Sequence, residues 1–342
     1  MMVFFIAFTI TFLMIKGLYP LAIKFNLVDH PDIRKHHEGA IPLIGGLAIF
    51  LSFLISSMFL EFTIIELFPI FISLTMIVFV GVIDDYKDLS FKIRFLVQAL
   101  ATLLMVIGAD VSLNSLGDLI SLGSIYLGFF TIPFTIFAVI GSINAFNMMD
   151  GIDGLSASLA IIALFSFYIG AEGLYAVLIL SLIACLSAFL IVNLFAKRKI
   201  FMGDAGSMLL GFVIAWLAIY FSQDSIEYKT FSPVTALWVI AIPIMDTVSI
   251  MCRRIIKGQS PFMPDREHLH HIFLRAGYSS HQTLIIIVTM AAILAAIGLI
   301  ADYYHIAEWV MLLSFLIIFT AYFQLIHHSW LFMRWLKTTD KK

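Results

Sequence analysis

The chain has 342 residues, 62% of them hydrophobic and only 12% charged. A soluble globular protein carries about a quarter charged residues, so this composition points away from an ordinary soluble enzyme and toward lipid as the solvent. The net charge of −2 decides nothing by itself; the placement of the charges does.

A hydrocarbon core about 30 Å thick takes roughly 20 apolar residues per helix. Apolar runs and their polar interruptions predict spans over 3–23, 42–60, 67–83, 94–109, 127–143, 156–171, 174–194, 207–222, 234–251, 282–301 and 308–328. The first run, Phe4 to Pro20, lacks the basic start and small-residue cleavage pattern of a signal peptide, so it reads as a retained span. The stretch from Asp110 to Gly128 reads as an interfacial or re-entrant piece. The expected fold class is an all-α polytopic membrane protein of about 11 transmembrane helices, one domain over residues 1–342, with its active site on the cytoplasmic face. No internal repeat is visible. Cys185 and Cys252 are too few and too isolated for a disulfide framework or a zinc site, and read as small buried side chains.

Eleven spans put the termini on opposite sides, and the basic residues choose between the sides. Alternate loops and the C-terminal tail hold 18 of the 20 Lys and Arg residues; Lys16 lies in the first span and Lys229 in an opposite loop. By the positive-inside rule the basic face is cytoplasmic, with the N-terminus periplasmic and the C-terminus cytoplasmic, as expected of a bacterial inner-membrane protein.

Acidic residues at span ends on that face are the candidates for chemistry, because carboxylates near lipid are expensive. The first group closes a span as GVIDDYKD. If the helix continues, Asp84 and Asp88 share a face and Lys92 extends it. Asp85 adds a third carboxylate, and such crowding calls for protons or a cation; Mg²⁺ suits oxygen ligands and substrate phosphates. The plain alternative is an acidic loop balanced by Lys87, Lys92 and Arg94. The second group, NAFNMMDGIDG, places Asn144, Asn147, Asp150 and Asp153 three residues apart, a polar stripe suited to a sugar hydroxyl or uracil edge or, alternatively, to a helix–helix seam. The third, KRKIFMGDAGS, sets Asp204 between glycines at the start of a span, where a phosphate would find free N–H groups and the positive end of the helix dipole. The basic run before it reads as a topology signal. The fourth, PFMPDREHLHH, gathers Arg266, His268, His270 and His271; without cysteine nearby, phosphate contact is the better reading than zinc. Asp246 and Arg253 share a face of one span, so neutralisation of Asp246 by that arginine stands beside a role in chemistry.

These motifs, with RKHHEGAIPLIGG after the first span, resemble the signature loops of the polyprenyl-phosphate N-acetylhexosamine-1-phosphate transferase superfamily, in order along essentially the whole chain. The His268-Leu269-His270-His271 pattern after Pro-Asp-Arg resembles the WecA-type N-acetylglucosamine branch rather than the muramoyl-pentapeptide branch. The resemblance implies UDP-GlcNAc as donor, undecaprenyl phosphate as acceptor, Mg²⁺ with Mn²⁺ as substitute, a place in O-antigen or enterobacterial common antigen synthesis, and no nucleic-acid partner; a homodimer is left open. It implies Asp204, Asp84 and Asp85 at the metal. It further implies Asn147, Asp150 and Asp153 at the nucleotide or sugar, and His268, His270, His271 and Arg266 at the diphosphate, with Arg34, Lys35 and Phe201 also lining the substrate site. Asp84 is the candidate proton acceptor. The rival reading, a transporter, expects acids near mid-span and broken helices in paired halves.

Overall fold

The computed structural model describes residues 2–30, 39–59, 67–223, 230–260 and 268–327. In chain order these form α1 (Met2–Lys24), β1 (Val28–Asp29), β2 (Ile41–Pro42), α2 (Gly45–Ser57), α3 (Phe68–Lys87), α4 (Phe91–Ala109), α5 (Thr131–Met149), α6 (Leu155–Tyr168), α7 (Gly173–Phe195), α8 (Gly203–Ser222), α9 (Pro233–Val239), α10 (Ala241–Ile256), α11 (Leu269–Ala276), α12 (Ser280–Tyr303) and α13 (Glu308–His327). The two short strands pair antiparallel, Val28 opposite Pro42 and Asp29 opposite Ile41. The chain is an all-α multi-pass membrane protein.

Each expected apolar run contains a helix, but fewer of them are long enough to cross. Eight described helices have the length and apolarity for a crossing, and α9 with α10, bent by 84° at their junction, makes a ninth. The other two, α2 with 13 residues and α6 with 14, fall short of a hydrocarbon core, since a helix rises only about 1.5 Å per residue. The expected eleven transmembrane helices are not reached on these lengths. Local structure shortens both: α2 starts only after β2, and α6 only after the turn that follows α5.

The core forms around α8. Apart from Asp204, every residue of α8 is buried, as expected of a helix apolar on all sides. Its neighbours α2, α3, α5 and α6 pack directly on it. Glycine makes the approach possible: a Cβ at Gly46 would fall on the backbone of Gly206, one at Gly81 on Ala205, and one at Gly211 on Ile143. The first turn of α2 is also tied to the chain entering α8, with Gly45 N–H donating to the Phe201 carbonyl and Gly46 N–H to that of Met202, both at 2.9 Å. Outer helices bury only a stripe. Phe79 on α3, Ile107 on α4 and Phe137 on α5 stand exposed, with lipid as their solvent.

The segment after α4, expected to be interfacial or re-entrant, is an extended hairpin bridged at Ser115 and Tyr126. Its backbone needs partners at the membrane edge. Gln223 Oε1 accepts from the N–H groups of Asn114 and Ser115, both at 2.9 Å, and Glu308 accepts from Asp118 N–H at 3.1 Å.

Candidate active site

The acidic end of α3 splits its two aspartates between different partners. The helix stops at Lys87 because Asp88 takes a left-handed conformation, φ 48°. Asp84 and Asp88 therefore do not run on with Lys92 as one helical face. Instead Arg94, in the first turn of α4, reaches back and donates from Nη1 to Asp84 Oδ2 at 2.7 Å, while Leu89 N–H donates to Oδ1 at 2.7 Å. Asp84 is only 3% exposed, so this ion pair compensates a buried charge. Asp85 turns to α8 and accepts from the N–H groups of Asp204 at 2.7 Å and Ala205 at 3.2 Å.

That contact corrects one expectation. The start of α8 offers unsatisfied donors and a partial positive charge, and the sequence suggested they await a phosphate. Two of them are already held by the carboxylate of Asp85. Gly203 makes the junction possible: it sits at φ +72°, and a Cβ there would lie 2.6 Å from Asp85 Oδ2.

A second correction concerns the polar stripe. The helix α5 ends at Met149, Asp150 caps it with φ −82° and ψ 35°, and a turn closed by Gly154 at φ 76° leads into α6. The four polar residues thus point to different partners. Asn144 donates back to the Ile140 carbonyl of its own helix at 2.7 Å. Asn147 Nδ2 donates to Asp204 Oδ1 at 2.7 Å and Ser207 Oγ at 3.0 Å. Asp153 pairs with Lys199 Nζ at 2.8 Å, half exposed at the rim. The Asp150 carboxyl, beyond the end of α5, is perturbed: desolvation, then the negative charges of Asp204 and Asp153, push it up to about 8.

The histidine motif joins this cluster from the other side. Asp246 lies in α10, just beyond the 84° bend, and is completely buried. Its Oδ2 receives His268 Nδ1 at 2.7 Å, and its Oδ1 receives Leu269 N–H at 2.9 Å and the Tyr322 hydroxyl at 2.8 Å. The carboxylate thereby caps α11 as well as orienting His268. The rings of His268 and His270 lie parallel with centroids 5.7 Å apart, and His271 stands 4.2 Å from His270. A Cβ on Gly151 would land on the His270 ring. Bare backbone beside Asp150 therefore faces the imidazole, and carboxylates and histidines form one continuous site.

Residues 67–222, which span every carboxylate of the cluster except Asp246, match glycosyl transferase family 4. Over 94% of this chain and 89% of its own length, an undecaprenyl-phosphate α-N-acetylglucosaminyl 1-phosphate transferase from Salmonella typhi is 41% identical. Proteins of the same name from Yersinia pestis and Haemophilus influenzae are 40% and 38% identical, across 100% of this chain and 94% and 98% of theirs. The chain belongs to this transferase family.

Of the residues this family's motifs single out, the structure brings Asp84, Asp85, Asn147, Asp150 and Asp204 together, with His268 and His270 beside them. Phe201 contributes backbone: its N–H donates to the Pro42 carbonyl and its carbonyl accepts from Gly45, both at 2.9 Å, and its side chain is half buried. His271 is half buried next to His270. Arg34, Lys35 and Arg266 lie outside the described residues. Both cysteines are free thiols, with Cys185 buried.

Sequence reasoning missed Arg94 and Lys199 as specific partners, and Tyr322 altogether. Arg94 had a signal, one basic residue within reach of an acidic pair. Tyr322 had none, being one aromatic residue in an apolar run. Asp246, weighed against Arg253, proves to be the hub for His268.

Among the described residues no three His, Cys, Asp or Glu side chains meet closely enough to hold an ion unaided. A Mg²⁺ site does not need them to, since this ion keeps water and takes one or two carboxylates plus substrate phosphates. Asp84 is engaged by Arg94, and Asp85 by the α8 amides. Asp204 receives a neutral amide from Asn147 and lies near both the negative Asp84 and the positive Arg94. Asp150, pushed up to about 8 by burial and then by Asp204 and Asp153, needs a nearby cation to hold its charge at neutral pH. The donor set is hard oxygen, which would suit a divalent cation such as Mg²⁺.

Proposed function

We propose that this chain transfers N-acetylglucosamine 1-phosphate from UDP-GlcNAc to undecaprenyl phosphate, releasing UMP and leaving GlcNAc-diphospho-undecaprenol in the membrane. The product is the first lipid-linked intermediate for O-antigen or enterobacterial common antigen. One observation carries the reading within the family match: the crowded, buried carboxyls of Asp150 and Asp204, set beside the histidine cluster. Such a site would suit a divalent cation together with a diphosphate.

An oxygen of the lipid phosphate forms a bond to the β-phosphorus of the donor. The bond from that phosphorus to the bridging oxygen breaks, and its electron pair leaves on UMP. Two anions must meet, so positioning and charge neutralisation dominate. A phosphate monoester with a second pKa near 6 is already largely dianionic at neutral pH, so single displacement needs little from a base. The Arg94 pairing gives Asp84 a holding role instead. Asp204 and Asp150 would hold a Mg²⁺ or Mn²⁺, which would supply charge neutralisation at the diphosphate. Asp85 fixes the start of α8 and hence the Asp204 backbone, and Asn147 orients the Asp204 carboxylate. His268 and His270 face the diphosphate, with Arg34, Lys35 and Arg266 adding positive charge. Asp153 and Lys199 form the rim on the nucleotide side.

The charge distribution supports an inner-membrane orientation with this site cytoplasmic, the N-terminus periplasmic and the C-terminus cytoplasmic. The transporter alternative is not favoured: among the described residues one span is broken, without a counterpart in the other half.

The test is transfer of label from UDP-GlcNAc to undecaprenyl phosphate by purified membranes, with Mg²⁺ or with EDTA, for wild type and Asp204→Ala. Butanol-extractable label and released UMP are expected from wild type alone, and loss of both on chelation. Transfer from a different UDP-N-acetylhexosamine would replace the sugar and keep the reaction. No product from any UDP-sugar would overturn the reading.

A further inference from the structure

We propose that Tyr322, on the last described helix, is a positioning residue for the transfer, acting through Asp246 to fix His268. The inference rests on the proposed transferase reaction and adds a residue outside the family's signature loops.

A carboxylate with no exposed surface is costly unless every lone pair it presents is answered by a donor. Asp246 is such a group, and its donors come from three places in the chain: His268 before α11, Leu269 in its first turn, and Tyr322 on α13. The tyrosine lies 76 residues from the aspartate it meets. On α13 the buried residues are Met311, Phe315, Tyr322 and Ile326, a seam in which only Tyr322 carries a polar atom. Phenylalanine would fill that position equally well as packing. The hydroxyl is what the site gains: it holds Oδ1, leaving Oδ2 directed at His268 Nδ1. With Nδ1 engaged by the carboxylate, Nε2 is the ring atom left to face the substrate, and Asp246 sets the angle at which it is offered. A helix at the edge of the bundle thus reaches the chemistry through a single oxygen.

Tyr322→Phe removes that oxygen and keeps the shape. Initial rates are compared for wild type, Tyr322→Phe, His268→Gln and the double variant in nanodiscs. We expect Tyr322→Phe to lower kcat and kcat/KM for UDP-GlcNAc together by about tenfold, with KM unchanged, as for an interaction that matters only in the transition state. In the His268→Gln background the same change should cost nothing further, because the two act as a unit. An equal loss in both backgrounds, or no loss in wild type, overturns the proposal. Carbethoxylation of His268 by diethyl pyrocarbonate needs no substrate and is followed in parallel by mass spectrometry of its peptide. Faster modification in Tyr322→Phe is expected; an unchanged rate overturns the positioning role. If wild type transfers no sugar phosphate from any donor, the proposed function has failed, and the modification rate alone decides Tyr322.

Discussion

His270 has 1% of its surface exposed, and neither ring nitrogen has a hydrogen-bond partner among the described residues. Burial, followed by the neighbouring His271 and His268, pushes its pKa down to about 3, against a weaker upward pull from Asp246. Burial thus favours the neutral ring at neutral pH. The linkage has a definite sign. In the unfolded chain His270 takes a proton below about pH 6.5, whereas the folded protein refuses it until far lower. Its contribution is unchanged above about pH 6.5 and is lost as pH falls from there toward 3. At about pH 5.5 the loss should be on the order of 1 kcal/mol. Thermal midpoints in nanodiscs at neutral pH and near pH 5.5 check this, with His270→Gln as reference. The wild type should lose more on acidification than the variant. Equal losses would show that some other group carries the acid sensitivity.

At the scale of elements, the arrangement rests on how closely α2, α3 and α5 approach α8. No side chain fits between Gly46 and the Gly206 backbone, so Gly46→Ala must push α2 away from α8. It would also strain the two backbone hydrogen bonds that tie α2 to Phe201 and Met202. Overpacking of this kind costs about 1–3 kcal/mol. Gly141→Ala on α5 is the control, with nothing within 4 Å of the added carbon, and should be neutral or stabilising by about 0.5–1 kcal/mol. Thermal unfolding of the two variants should move in opposite directions; parallel shifts would mean the α2–α8 contact is not tight. The sequence made these helices readable, because a lipid-crossing backbone can satisfy its own N–H and C=O groups in few ways. It did not reveal that α2 and α6 stop short, nor that α9 and α10 break at 84°, since tertiary contacts decide both. The site divides similarly. Asp84, Asp85, Asp150 and Asp204 stood out because acids at span ends need a reason. Their partners did not, because Arg94 meets Asp84 only once Asp88 turns the chain at φ 48°, and Tyr322 meets Asp246 only through the packing of α13 on α10.

For the whole molecule, the open question is which side of the bilayer the site faces, and two exposed positions at opposite ends of the spans decide it. Ser121 lies at the tip of the hairpin between α4 and α5, in a left-handed turn at φ 59°, and Lys257 closes α10 beyond Arg253 and Arg254. The distribution of Lys and Arg predicts the first outside and the second in the cytoplasm. Of the native thiols, Cys185 is buried and Cys252 partly so, so Cys252→Ser gives a nearly silent background. In that background Ser121→Cys should react with a membrane-impermeant maleimide in intact spheroplasts, whereas Lys257→Cys should react only after the membrane is opened. The same pattern bears on mechanism. UDP-sugars are cytoplasmic and the acceptor phosphate sits at the bilayer surface, so a site at the α3, α5 and α8 ends near Lys257 can meet both only in this orientation. Labelling of Lys257→Cys in intact spheroplasts would invert the topology and leave a nucleotide-sugar transferase without access to its donor.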